Sequence, residues 1–275
     1  MVVLLYLSGQ AFGSWDGRCG NMSANNRMTG GDIADRGKWP WMVKLHTCKD
    51  TFKPETCNFT CGGSLISDRY ILTAAHCVQT GQLMTATFGD YDSVADESTK
   101  ITAQIEMNFN HHEYDIRHNF LNDIALLRIK TPLDLNDEHK RFEPICLPRP
   151  DLPTHLGEKC VLTGWGQTES KKLSSVLRQI DLPITYDYRC EEKFPCHYNR
   201  DTKFCTENLH GIKSACFGDS GGPLTCQLGN NGWVVRGVAA HIDKLDCTGN
   251  INAFTRVAPY TEWIAGVTGQ RLSLV

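Results

Sequence analysis

Short strand-like runs, separated by polar or Gly- and Pro-rich turns, fill most of this 275-residue chain. Apolar and β-branched residues form such runs in both halves, among them residues 39–45, 160–165 and 233–240. Only residues 260–265, which follow Pro259, have the pattern of a helix. Two similar β-rich halves predict an all-β protein, built either as two barrels or as a sandwich.

Thirteen cysteines are dispersed along the chain rather than clustered in CxxC pairs. Dispersed cysteines indicate an oxidising compartment and a disulfide framework rather than zinc sites. Residues 1–14 combine a short apolar run with small residues and resemble a signal peptide, although an N-terminal truncation of a longer modular protein also fits. Asn21 and Asn58 begin glycosylation sequons. We therefore expect a secreted, extracellular glycoprotein.

The net charge of −3 argues against nucleic acid or a strongly anionic membrane as the main partner. Beyond the N-terminal run, no stretch has the 18 or so apolar residues that a membrane span requires. A histidine cluster lacks the cysteine or carboxylate spacing of a metal site, so no metal is expected at His111, His112 and His118.

A serine between glycines, with an aspartate before it, stands in residues 216–223. A serine hydroxyl is a poor nucleophile, so it needs a base for its proton and donors for an oxyanion. Gly218 allows the main chain to turn its N–H toward such an oxyanion, beside the N–H of Ser220. The alternative is a glycine-rich surface turn.

Two residues upstream could assist Ser220. His76 ends an apolar run, and Cys61 and Cys77 bracket its segment. Asp123 leads directly into another apolar run, and a buried carboxylate there needs a partner such as a histidine. A structural histidine and a strand-capping aspartate are the alternatives.

Together, the motifs at 73–77, 122–126 and 218–223 resemble the trypsin/chymotrypsin-like serine protease family, in the family's order of His, Asp and Ser. Residues 39–41 and 164–166 also match, so the likeness covers roughly 28–268. The resemblance implies two antiparallel six-stranded β-barrels, an active site between them and a C-terminal helix, in one protease domain at residues 28–270.

By the same resemblance, Ser220 is the nucleophile and His76 is the general base and then the acid. Asp123 orients the imidazole and stabilises its charged form. The N–H groups of Gly218 and Ser220 form the oxyanion hole.

The resemblance also implies a zymogen in which residues 15–27 are a propeptide or light-chain tail. Cleavage after Arg27 would free the α-ammonium of Met28, which would fold inward to pair with Asp219. Met-Thr replaces the usual Ile-Val, and both begin with an apolar residue.

Several disulfides follow from the likeness. Cys19–Cys146 resembles the bridge that retains the light chain in clotting or complement-type proteases of hemolymph or plasma, and Cys48–Cys57 is inferred from proximity alone. Cys196 is left over. The bridges common in the family are Cys61–Cys77, Cys160–Cys226, Cys190–Cys205 and Cys216–Cys247.

The predicted specificity pocket departs from the trypsin pattern. Its base, six residues before the nucleophile, is Ser214 rather than aspartate, which argues against cleavage after Lys or Arg. Ile242 and Asn252 replace glycines of the pocket wall, an elastase-like arrangement that predicts small or medium aliphatic side chains before the scissile bond. An inward turn of Asp243 or Asp246 would restore a basic preference.

Two further departures predict a slow enzyme. Ala240 lacks a hydroxyl that in the family helps to hold the buried aspartate, and a hydrogen bond to a charged group contributes about 1.5–3 kcal/mol. His241 replaces an aromatic platform for the substrate backbone.

The sequence therefore predicts a secreted serine endopeptidase zymogen within a proteolytic cascade. Its partners would be protein substrates, an upstream trypsin-like activating protease and macromolecular protease inhibitors. A protease-like adaptor with little or no activity is the alternative. A carboxylester hydrolase would need a nucleophile elbow between strand and helix, which the surroundings of Ser220 do not provide.

No cofactor is expected, and calcium is left open. The family's calcium loop would fall near residues 90–100, where the oxygen ligands would come from Asp90, Asp92, Asp96 and Glu97. Lys100 stands about where a second carboxylate is expected.

Overall fold

The computed structural model describes residues 18–22, 33–79, 81–95, 100–117, 120–136, 142–168, 170–208, 214–229, 232–242, 249–270 and 272–275, with only the main chain at 241 and 242. Several predicted features lie outside these residues: the signal-like segment 1–14, the cleavage site at Arg27 and Met28, and Cys247.

Six antiparallel strands of the first half form a closed barrel in the order β1-β2-β3-β6-β5-β4. All four residues of β3 are buried, which suits its apolar Tyr-Ile-Leu run, and most of β1 is buried as well, including the polar Lys44. The strands are β1 (Met42–Cys48), β2 (Cys57–Leu65), β3 (Tyr70–Thr73), β4 (Leu83–Phe88), β5 (Ile101–Asn110) and β6 (Ala125–Ile129).

The second half contributes a six-stranded antiparallel sheet in the order β8-β7-β10-β11-β12-β9. Its strands are β7 (Cys160–Gly164), β8 (Arg178–Asp181), β9 (Lys203–Glu207), β10 (Pro223–Gln227), β11 (Trp233–Ile242) and β12 (Ile251–Arg256). The all-β prediction with two six-stranded units is confirmed, with a closed barrel in the first half.

Two α-helices occur in the described part of the chain: α1 (Asp187–Lys193) and α2 (Thr261–Thr268). The sequence predicts α2, which ends at the left-handed Gly269. The expectation that only the end of the chain is helical is wrong, since α1 is also a helix. The sequence does not reveal α1 because its seven residues are too few to show helical periodicity. Neither helix is long and apolar enough to cross a membrane. Single 3₁₀ turns occur at Pro54–Thr56, Ala75–Cys77 and Ala258–Tyr260.

The two halves share a hydrophobic core. Trp39, just before the barrel, packs edge-to-face on Trp233 of β11, with ring centroids 5.0 Å apart. Trp39 also contacts Trp41, and its indole N–H donates to Gln179 Oε1 of β8 at 3.0 Å. Because Trp39 and Trp233 are both buried, their contact fixes one half against the other.

Five disulfides join described cysteines, and each of these pairings is one that the sequence predicts. They are Cys19–Cys146, Cys48–Cys57, Cys61–Cys77, Cys160–Cys226 and Cys190–Cys205. The last one anchors α1 to β9. Cys196 is exposed. The Cys216–Cys247 pairing stays a prediction, because Cys247 is outside the described residues.

Candidate active site

His76 lies on the 3₁₀ turn Ala75–Cys77 that follows β3. The Cys61–Cys77 disulfide ties this turn to β2. The main-chain N–H of His76 donates to Asp123 Oδ1 at 2.8 Å, and its ring Nδ1 lies 2.7 Å from Asp123 Oδ2. Both oxygens of one carboxylate therefore hold this histidine.

Asp123, two residues before β6, is fully buried. Because an ionised carboxylate only accepts hydrogen bonds, Nδ1 of His76 must carry the proton, which leaves a lone pair on Nε2. Thr255 of β12 donates its hydroxyl to the main-chain oxygen of Asp123 at 3.0 Å. Among the described residues, no side-chain hydroxyl donates to the carboxylate itself.

Polar contacts also hold Asn122, the residue before Asp123. Tyr260 donates its hydroxyl to Asn122 Oδ1 at 2.7 Å, and Asn122 Nδ2 donates to the carbonyl of Glu113 at 3.0 Å. Burial raises the pKa of Tyr114 to about 12, and the nearby negative charge of Asp123 adds to this effect. Thr255 and Tyr260 could not be found from the sequence, because their partners are far away along the chain.

Ser220 lies on a loop of the second half that packs on the barrel. Its carbonyl accepts the N–H of Gly62 at 2.8 Å, and the next residue, Gly221, donates its N–H to Ala239 O at 2.8 Å. Gly221 has φ +74°, and a Cβ there would overlap Thr73 Oγ1 and lie 3.2 Å from Cys77 Sγ. This close packing brings the serine loop beside the His76 turn.

The Ser220 hydroxyl makes no hydrogen bond within the described part of the chain, so Ser220 and His76 are not hydrogen-bonded to each other in this structure. The Nε2 atom of His76 lies 3.7 Å from Cys77 Sγ. Catalytic hydrogen bonds without substrate are often longer than in the reacting complex. The geometry places the two residues in adjacent segments.

The main-chain N–H groups of Gly218 and Ser220 are available as hydrogen-bond donors to an oxyanion. Over the described residues, neither the Gly218 N–H nor the Ser220 N–H donates to another protein group. Gly218 has φ +97°, and a Cβ at this position would lie 2.8 Å from Leu173 Cδ2 and 3.0 Å from a Phe59 ring carbon. The backbone conformation and the close neighbours both favour glycine.

Asp219 turns away from Ser220 toward the 164–166 segment. Its carboxylate accepts the N–H groups of Cys216 and Gly166, each at 2.9 Å. A Cβ at either end of that segment would overlap a carboxylate oxygen. Burial raises the pKa of Asp219 to about 6, and the two N–H donors oppose that shift. Its predicted partner, Met28, lies outside the described residues.

The predicted pocket base, Ser214, contacts Asn252, which the sequence predicts on the pocket wall. The Ser214 hydroxyl donates to Asn252 Oδ1 at 2.6 Å, and the Ala215 N–H donates to the same oxygen at 3.2 Å. Asn252 is fully buried and lines a cavity of about 10 Å³, which is roughly the space of one water. The side chains of Ile242, Asp243 and Asp246 are outside the described part.

Three groups of described residues place potential metal ligands close together. One group contains Cys61 and Cys77, and another contains Cys160 and Cys226. In each group the two sulfurs are bonded to each other in a disulfide. The third group consists of His111, His112 and Glu113, whereas His118 is outside the described residues.

Both predicted glycosylation sites reach solvent. Asn58 is exposed on β2. Asn21 is also exposed, and its main-chain N–H donates a hydrogen bond to Glu143 Oε1 at 3.0 Å. Glycosylation at these residues remains a prediction.

Comparison with known proteins agrees with this geometry. The chain is 34% identical to phenoloxidase-activating factor 3 of Holotrichia diomphalia (86% of this chain, 71% of that protein) and 33% identical to chymotrypsin-C of Mus musculus (89% of each). It is 32% identical to ovochymase of Halocynthia roretzi over 86% of this chain, but spans only 15% of that protein. The trypsin family profile matches residues 28–264. The chain therefore belongs to the trypsin family of serine proteases.

Proposed function

We propose that this protein is a secreted serine endopeptidase zymogen that hydrolyses peptide bonds through an acyl-enzyme. The observation that carries this proposal is the double contact between Asp123 and His76, at 2.8 and 2.7 Å, beside the loop that presents Ser220. The family membership supports the reaction class.

In the proposed reaction, Nε2 of His76 takes the proton from Ser220 as its oxygen forms a bond to the substrate carbonyl carbon. Asp123 stabilises the imidazolium that results. The N–H groups of Gly218 and Ser220 bind the oxyanion, and His76 then protonates the leaving amine as the peptide bond breaks. Water attacks the acyl-enzyme by the same route and releases the second product.

We infer that cleavage after Arg27 activates the protein. Within the described part of the chain, partly buried Asp219 has only N–H donors as partners, and the raised pKa of its carboxyl indicates that a nearby cation would stabilise the charged form. The Met28 ammonium would supply that cation. Because Ser214 offers no carboxylate for an arginine, a separate trypsin-like protease would make the cut.

A place in an extracellular proteolytic cascade follows from this scheme. The five disulfides favour an oxidising compartment. One relative is named a phenoloxidase-activating factor, a name that states action on a further protein. The proposed partners are protein substrates, the activating protease and macromolecular protease inhibitors.

The proposed preference is for small or medium aliphatic side chains before the scissile bond. Asn252 is buried, accepts the Ser214 hydroxyl at 2.6 Å, and lines a cavity of about 10 Å³. A large or cationic side chain would need more room and a negative partner there.

One observation favours a second candidate, a protease-like adaptor with little or no activity. The Ser220 hydroxyl is not hydrogen-bonded to His76 within the described residues, and the pocket cavity is small. Such a protein would keep the fold and bind partners without turnover.

Active-site labelling separates the two candidates. The purified protein would be cut with a trypsin-like protease, the new N-terminus at Met28 sequenced, and the rate of fluorophosphonate labelling measured before and after the cut. We expect labelling of Ser220 only after the cut, and none in a Ser220→Ala control. A correctly cut protein that stays unlabelled would support the adaptor instead.

A further inference from the structure

The loop between β4 and β5 contains a buried carboxylate, Asp90, with a lysine ammonium on each oxygen. Lys100 Nζ lies 2.9 Å from Asp90 Oδ1, in a close ion pair. The same Nζ donates to the main-chain oxygens of Asp92 and Ala95, each at 2.9 Å. One ammonium is thus held by three oxygens from three residues of the loop.

Lys44 of β1 occupies the other side of Asp90. Its Nζ lies 3.3 Å from Asp90 Oδ2, donates to the Ser93 hydroxyl, and sits over the rings of Phe59 and Trp165 at 5.1 and 4.9 Å. Burial lowers the pKa of Lys44, and Asp90 opposes that shift. The negative charge of Asp90 is therefore already shared between two cations.

A carboxylate with two converging carbonyl oxygens is the kind of ligand set that calcium takes, with six to eight oxygens in all. A lysine ammonium instead satisfies such a set with its three N–H donors. A calcium ion at the same point would lie against the Lys100 ammonium, with Lys44 close by. The residues present therefore do not fit the calcium that the family resemblance leaves open.

The loop also joins the two halves of the molecule. The N–H of Ser93 donates to Ser175 O at 2.7 Å, and the N–H of Leu177 donates to Tyr91 O at 2.8 Å. Asp92 pairs with Val176 in an isolated bridge. A group that binds the carbonyls of residues 92 and 95 therefore also stabilises the contacts between this loop and residues 175–177, just before β8.

We propose that the Lys100 ammonium takes the place of a divalent cation in the loop after β4, so that the loop is closed without calcium. This role concerns stability and does not depend on the proposed function. A carboxylate at position 100 should therefore convert the loop into a calcium site, because three of the oxygens are already in place.

Thermal unfolding in calcium and in a chelator tests the proposal without any activity assay. We expect the Tm of the unaltered protein to be the same in both buffers. Lys100→Met should lower the Tm by roughly 3–8 °C in both, because it removes the ammonium and supplies no ligand. The Tm of Lys100→Glu should be lower than that of the unaltered protein in the chelator, and it should rise in millimolar calcium. Lys53→Glu, at an exposed lysine, is the matched charge control.

Four results would overturn the proposal. A calcium-dependent rise in Tm of the unaltered protein would mean that the loop binds the metal beside Lys100. A Lys100→Met variant as stable as the unaltered protein would mean that the ammonium does not hold the loop. Equal Tm values of Lys100→Glu in the two buffers, or a calcium response no larger than that of Lys53→Glu, would mean that the oxygens do not form a cation cage.

Discussion

At the scale of single residues, burial decides what each carboxylate of the site does. Asp123 has both oxygens on His76 and fixes which ring nitrogen carries the proton. Asp219 has two N–H donors and no cationic partner in the part of the chain that the structure describes, and its pKa is raised to about 6. One carboxylate is suited to catalysis and the other to receiving a charge.

The pH dependence of the uncut protein should report on Asp219. The folded-state pKa of about 6 lies above the usual 3.8, so the folded protein holds this proton more tightly than the unfolded chain. This contribution to the free energy of unfolding is present at low pH and is lost as pH rises from about 4 to about 6. Between pH 4 and pH 6, the Tm of the uncut Asp219→Asn variant should fall less steeply with pH than the Tm of the unaltered uncut protein. Parallel curves would contradict the shift.

The pocket base offers a test of specificity. Asn252→Gly should raise kcat/KM for Phe or Leu before the scissile bond relative to Ala, by about tenfold or more, because it removes a side chain that lines the pocket cavity. Cleavage of a peptide library by the activated protein measures this ratio. Asn250→Gly, on an exposed residue two positions earlier, is the control. An unchanged ratio would mean that Asn252 does not limit the pocket.

At the scale of elements, the site is made by a loop of one half pressed against strands of the other. Gly221 has no room for a side chain beside Thr73 of β3, and the Cys61–Cys77 disulfide holds the His76 turn at the same place. Strand-like runs and the closing helix could be predicted from the sequence, since their signals are local. The short helix α1 could not, because seven residues are too few to show helical periodicity.

A pair of glycine substitutions separates backbone strain from this close packing. Gly221 and Gly229 both have positive φ, at +74° and +51°, but of the two only Gly221 has other atoms within 4 Å of the position that a Cβ would take. We expect Gly229→Ala to cost about 1 kcal/mol of unfolding free energy, and Gly221→Ala about 2–4 kcal/mol with slower labelling of Ser220. Urea unfolding measures both. Equal losses would show that the contact with Thr73 is unimportant.

At the scale of the whole molecule, one disulfide connects the N-terminal tail to the protease domain. Cys19 and Cys146 are 127 residues apart in sequence and bonded in the structure. Three motifs in one order were enough to predict the family, whereas the contacts of Asp219 and Lys100 could not be predicted. They depend on main-chain N–H and carbonyl groups that the fold brings together, which a residue pattern does not reveal.

The tether predicts how the activated protein behaves. After cleavage at Arg27, the intact mass without reductant should rise only by one water, because the tail stays attached through Cys19. Reduction should release it as a separate peptide. Mass spectrometry of the cut protein makes the comparison, and loss of the tail without reductant would contradict the bridge.

The most direct test of the central claim is the turnover of peptides by the chain cut after Arg27. We predict cleavage by the cut protein and none by the uncut one. Ser220→Ala should abolish turnover, and Asp123→Asn should lower kcat by about 10⁴-fold while the fold is retained. Exposed Asp201→Asn should leave the rate unchanged. Turnover that persists at the same rate in Ser220→Ala, or a cut protein with no turnover at all, would contradict the proposed mechanism.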